Sequence, residues 1–261
     1  MDKRKIIYYE DELNDEFSKA VLERPVIDGK YVYYKNTLLS RMAHFFWYRI
    51  IAMPLAYAYT KIAFAHKIIG KKAMKPYRKA GYFMYGNHTQ DIGDALMPNM
   101  IEKRKDKYFI VNPENLNAPI VGRVVKHLGA IPVPANLAAY KNFMSVIEKR
   151  IDEKSAIVIY PEAHIWPYYT KIRPFHDTSF NYPVRLDTPV FCFTNTYQKR
   201  KFTKRPRIVT YIDGPFFHDK SLSPREAQKK LRNEVYERMC KRASLSNVKI
   251  IEYVKKEANH D

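Results

Sequence analysis

In the stretch Gly86-Asn87-His88-Thr89-Gln90-Asp91-Ile92-Gly93-Asp94, one imidazole is followed by two carboxylates three and six positions on. Such a group could act as a general base. The unperturbed pKa of histidine, ~6.5, lies near working pH, and a carboxylate beside the ring fixes its tautomer and stabilises the cation that forms. The same residues could also be an ordinary connection between a strand and a helix. A further carboxylate, Glu162, closes the apolar run IVIYPE. The chain has no Gly-x-Ser-x-Gly elbow, which argues against a covalent serine mechanism.

The elements around these residues decide what they can do. Residues 81–87 (GYFMYGN) read as a buried strand that ends at His88, and residues 91–104 as the helix that follows. Further on, strands at 107–114, 130–134 and 156–162 alternate with helices at 118–129 and 136–154. A helix around 177–187, strands at 189–198 and 205–215, and a helix at 223–243 opened by Ser-Pro-Arg-Glu complete the pattern. Alternation of this kind predicts an α/β domain with a largely parallel central sheet flanked by helices. In such sheets ligands gather at the carboxyl ends of strands, and His88 and Glu162 each stand just past such an end.

Residues 1–37 read as an irregular extension of mixed charge, 38–70 as a separate helical unit, and 71–261 as the α/β domain. The run from Leu38 to Lys72 is the most apolar of the chain, but Arg41, His44, Arg49, Lys61 and His66 interrupt it. It never reaches the ~20 consecutive apolar residues that a spanning helix needs. With Pro54 as the expected break, it predicts an amphipathic helical hairpin. Trp47, Tyr48, Tyr57 and Tyr59 suit the headgroup boundary of a membrane, and the other reading is a helix pair packed on the domain.

The formal net charge is +19, and the first thirty residues, with eight acids against six bases, carry −2 of it. The remaining body therefore favours an anionic partner: nucleic acid, an acidic membrane surface or a phosphate-bearing substrate. No recognition motif supports nucleic acid. Cys192 and Cys240 have no metal spacing and fit a reduced cytoplasmic compartment as packing residues.

Four blocks in order carry a resemblance: GNHTQDIGDAL, LGAIPVP (128–134), IVIYPEAHIWP (157–167) and DTPVFCFTNTY (187–197). Together they resemble the glycerolipid acyltransferases, the 1-acylglycerol-3-phosphate acyltransferase family, over roughly residues 40–245. The family's Asn-His-x-x-x-x-Asp pattern has four residues between His and Asp. Here five separate His88 from Asp94, and Gly93 stands at the four-residue position. Asp94 is the favoured partner because the helix start after it matches, with Asp91 the other candidate. The second block commonly ends in Arg, here Pro134, and the third commonly continues Gly-Thr-Arg, here Ala163-His164-Ile165.

The resemblance implies a membrane-surface enzyme at the cytoplasmic face of the cell membrane. It would move a fatty acyl group from acyl-CoA or acyl-carrier protein to a lysophospholipid hydroxyl, with no further cofactor. The expected acceptor is 1-acylglycerol 3-phosphate; the other readings are another lipid or glycolipid acceptor, or a non-catalytic lipid-binding homologue. His88 would be the base. Backbone N–H groups at the helix start would serve the oxyanion, with Gly86 allowing the turn and Asn87 bracing it. Glu162 would belong to the acceptor site, holding a basic side chain there. Lys171 and Arg173, with Arg123 and Lys126 behind them, would replace the missing phosphate contacts.

Overall fold

The computed structural model describes residues 5–17, 23–33, 37–117, 122, 125 and 127–256. Three strands form the middle of the molecule: β3 (Tyr82–Gly86) and β6 (Ala156–Ile159), nearly unbroken apolar runs, and β7 (Val190–Gln198), apolar in its first four residues. Such runs suit parallel strands covered on both faces. In order, the central sheet is β2 (Lys67–Ile69), β8 (Arg207–Phe216), β7, β3, β6, β4 (Lys107–Val111) and β5 (Ala130–Pro132). Neighbours are parallel except β7 and β8, which form an antiparallel hairpin.

Side chains alternate across the pleat. Phe83, Tyr85, Ile157, Ile159, Val190 and Cys192 point to one face, against α4 (Leu137–Asp152) and α6 (Pro224–Ala243). Tyr82, Met84, Val158, Phe191 and Phe193 point to the other, where Met74 and Ile101 of α3 (Gly93–Ile101) cover them. Helix α6 starts at the expected place: the Ser223 side chain accepts from Glu226 N, and the Glu226 carboxylate accepts from Ser223 N. The helix expected at 177–187 is a short 3₁₀ turn followed by α5 (Asn181–Arg185). The helix expected at 118–129 lies largely outside the described residues.

The helical hairpin expected at 38–70 is corrected. The backbone stays helical from 38 to 63 and passes through Pro54, with α1 (Leu38–His44) and α2 (Met53–Ala58) each followed by wider π-helical turns. A proline inside a helix lacks one N–H and crowds the carbonyl four residues back. The π-helical turns at Phe45–Ala52 widen the helix just ahead of Pro54 and accommodate both effects. No helix among the described residues is long and apolar enough to cross a membrane.

One side of this segment is fastened to the sheet domain. The Tyr48 hydroxyl donates to Asn99 Oδ1 at 2.5 Å and accepts from the Lys107 N–H at 3.1 Å, while Arg49 pairs with Asp106. The other side exposes Leu38, Leu39, Met42, Phe45, Phe46 and Ile50, repeating at helical spacing. The segment's boundary also shifts, because Lys67–Ile69 is a strand of the sheet.

The irregular extension expected at the start is partly ordered. Strand β1 (Lys5–Tyr9) pairs in parallel with β9 (Ile251–Lys255), a strand that the pattern did not predict.

Lys107, at the start of β4, is wholly buried, and its ammonium donates to the carbonyls of Glu102 and Lys105. Burial pushes its pKa down to about 7. In an unfolded chain the group titrates near ~10.4, so between about pH 7 and pH 10 the unfolded state holds more protons. Stability contributed by Lys107 therefore rises with pH across that window. Urea midpoints measured from pH 7 to pH 10 are expected to rise in the native protein and to rise less in Lys107→Met.

Candidate active site

The last residue of β3 is Gly86, a position where nothing larger fits. A Cβ there would lie 2.1 Å from the Phe193 ring of the neighbouring strand. The next residue, Asn87, is buried and binds β7 with its whole amide: Nδ2 donates to Asn195 O at 3.0 Å, and Oδ1 accepts from Asn195 N at 2.8 Å. This clamp sets the direction in which the chain leaves the sheet, and the following residue is His88.

His88 Nδ1 lies 2.8 Å from Asp94 Oδ2, in the first turn of α3. Asp91, the other candidate, is exposed. Asp94 Oδ2 also accepts from the Gln90 N–H at 2.9 Å, which closes the loop on itself. Burial raises the Asp94 pKa, against the lowering effect of the His88 and Gln90 contacts. With Nδ1 engaged, Nε2 is the nitrogen left to take a proton from a bound hydroxyl. Tyr160 stacks on the imidazole, centroids 4.5 Å apart and 15° between planes, and its hydroxyl donates to Asp94 O. Sequence reasoning passed over Tyr160, although it adjoins the Pro-Glu pair that marks the third block.

Glu162 holds the other side of the same loop. One carboxylate oxygen accepts from the His88 N–H at 2.7 Å, and the other from the Arg173 N–H at 2.8 Å. Glu162 is buried, and burial raises its pKa, opposed by the nearby Arg173 and by these two donors. The N–H groups of His88 and Gln90 are thus bound to buried carboxylates, and this part of the loop uses its donors to satisfy its own acids.

Arg173, expected at an acceptor phosphate, is fully buried. Its guanidinium donates to the carbonyls of Glu162 at 2.9 Å, of Glu12 at 3.3 Å and of His164, and sits over the Trp166 ring. So placed, it ties the loop together from within and does not face a ligand. Lys171, two residues earlier, is exposed. Arg123 and Lys126 lie outside the described residues.

The acidic start of the chain lies along this loop. Trp166 Nε1 donates to Asp15 O at 2.8 Å, the Tyr169 hydroxyl donates to Glu12 Oε1 at 2.7 Å, and His164 Nδ1 is 3.2 Å from Glu16. Tyr253 of β9 stacks on Trp166 at 4.9 Å. On its inner side the same loop meets the histidine turn, where Trp166 N–H donates to His88 O at 3.1 Å.

Removing Arg173 leaves Glu162 buried without its cation and strips three carbonyls of a donor. Arg173→Ala is expected to lose roughly 3–5 kcal/mol of unfolding free energy, read from urea denaturation. Native-like stability with only a raised acceptor KM would instead return Arg173 to the substrate.

Residues 67–194 match the family model described as Acyltransferase, a stretch that holds His88, Asp94, Glu162 and Arg173. No curated protein matches the chain. Among solved structures, the crystal structure of the 1-acyl-sn-glycerophosphate (LPA) acyltransferase PlsC from Thermotoga maritima is similar, with a TM-score of 0.54 at 16% identity. The match covers 76% of this chain and 81% of that one, and at such identity it speaks for the fold. The mostly parallel sheet and the Acyltransferase match over its core strands agree: residues 67–194 are similar to that family, on a fold similar to that of the PlsC structure.

Proposed function

We propose that this protein acylates the free hydroxyl of a lysophospholipid, taking the acyl group from acyl-CoA or acyl-carrier protein, with His88 as general base. The observation that carries the reading is the His88 Nδ1–Asp94 Oδ2 contact of 2.8 Å at the carboxyl end of a central parallel strand. His88 Nε2 takes the proton of the acceptor hydroxyl as its oxygen attacks the thioester carbonyl carbon. The C–S bond then breaks, and the leaving thiolate receives that proton from the imidazolium. Asp94 holds the tautomer throughout and stabilises the imidazolium. No enzyme nucleophile is required, because the acceptor's oxygen forms the new ester directly.

The acceptor we favour is 1-acylglycerol 3-phosphate, giving phosphatidic acid, with exposed Lys171 as a cation for its phosphate. The enzyme would work at the cytoplasmic face of the cell membrane, with the apolar side of helix 38–63 lying in the lipid interface. Cys192 and Cys240 are both free thiols, which suits that compartment. A second reading keeps the chemistry and changes the headgroup. It is favoured by Arg173, whose guanidinium is bound to carbonyls of the loop, and by Pro134 and Ile165 at the two positions where the resemblance leads one to expect an Arg.

The test is acyl transfer by the purified protein on anionic vesicles, with a labelled acyl thioester and a panel of lysolipid acceptors. His88→Ala is expected to lower kcat by ~10²–10⁴-fold, the range for a positioned general base. Asp94→Asn should lower kcat more than it raises the acceptor KM. Full activity in His88→Ala would remove the histidine from the mechanism. Transfer to acceptors lacking phosphate, and none to 1-acylglycerol 3-phosphate, would select the second reading.

A further inference from the structure

The turn joining β7 to β8, with the first residue of β8, reads Lys-Arg-Lys-Phe-Thr-Lys-Arg-Pro-Arg over residues 199–207, six cations and no carboxylate in nine residues. At its tip Phe202 is 99% exposed, and Lys199, Lys201, Arg205 and Arg207 are exposed around it. A hairpin of this length needs no aromatic at its tip for its own folding. A lone, fully solvated Phe among cations is therefore the combination to explain.

Its position supplies the explanation. β7 runs in the same direction as β3, with Phe193 opposite Gly86, the last residue of β3. It then continues five residues further, to Gln198, before turning. At ~3.3 Å per residue this carries the tip about 16 Å beyond the level where the chain leaves β3 for His88. The hairpin also adjoins the end of the helical segment. Arg200 donates to Ala63 O at 3.4 Å, next to Ile62, which is 80% exposed. The apolar side chains and the cations thus project past the edge of the sheet that carries the site.

We infer that residues 199–207 form a lipid-inserting tip. Phe202 enters below the headgroups of an anionic bilayer, the surrounding cations lie at its phosphates, and the carboxyl edge of the sheet is held facing the membrane. The partner is anionic lipid, because a positive ring around a projecting apolar residue complements a negative surface over an apolar interior. This rests on the membrane-surface reading above and adds a second attachment, separate from helix 38–63. Lipid substrate would then enter the site directly from the bilayer that both attachments hold.

Phe202→Trp tests it, compared with the native protein to subtract the emission of Trp47 and Trp166. Phosphatidylcholine vesicles are used with and without phosphatidylglycerol, together with lipids brominated in the acyl chains. On anionic vesicles the introduced indole is expected to shift to the blue and to be quenched by the bromines. Lys199, Lys201 and Arg205 changed together to Gln should weaken partitioning by roughly 100-fold. Turnover of detergent-dispersed substrate should stay unchanged. Vesicle binding by the full protein with no change in the emission of the introduced indole would overturn the inference and leave the membrane-surface reading standing. Failure of the native protein to bind any vesicle would overturn both. A shift produced by an acidic acyl-carrier protein, and not by vesicles, would overturn it by reassigning the hairpin to a protein partner.

Discussion

The buried carboxylate of Glu162 is the constraint on which the site depends. It accepts from the backbone of His88 with one oxygen and from the backbone of Arg173 with the other, joining the loops that follow two neighbouring strands. Because both donors are main-chain groups, what Glu162 fixes is the path of the chain. The direction of the imidazole is set separately, by Asp94 and by the stacked Tyr160. Fixing the main chain and the ring through different partners limits the motions open to a base that must meet a hydroxyl in a narrow range of geometries.

This arrangement carries a cost in stability. Asp94 and Glu162 are both buried, and burial raises the pKa of each, so their charged forms are less favourable here than in water. The surroundings offset this with the donors they can supply: three backbone N–H groups, an imidazole and a nearby guanidinium. One Asp94 oxygen, Oδ1, is buried with no hydrogen-bond partner. A loop serving packing alone would have no reason to keep two acids in this condition.

The sheet's core was legible because its strands are buried on both faces. Unbroken apolar runs such as YFMYG and AIVI have few other uses in a chain of mixed helices and strands. The histidine turn was legible for a chemical reason: His88 and Glu162 stand where strands end, and Asp94 stands at the start of the helix that follows the first of them. What could not be read was long-range satisfaction of polar groups. Nothing local to Arg173 says that its partners include the carbonyl of Glu12, 161 positions away. Nor does the spacing around Pro54 tell a break from a widened helix, since the choice depends on the surface the segment packs against. β1 and β9 were missed because each is short and half-exposed, and becomes a strand only by meeting the other.

That last pairing bears on how the protein is made. Lys5 lies opposite Ile251, so the two strands are separated by 246 positions in the order of synthesis. At ~5–20 residues per second, β1 exists for roughly 10–50 s before its partner has been polymerised. Once Trp166 has been made it too must wait for the Tyr253 ring, and until then the loop that meets the histidine turn lacks that part of its outer layer. The central sheet can assemble earlier from segments closer together in the chain. Completion of the site's surroundings therefore waits until β9 has been made, and a nascent chain that has not yet reached it would carry a formed sheet with that loop still uncovered.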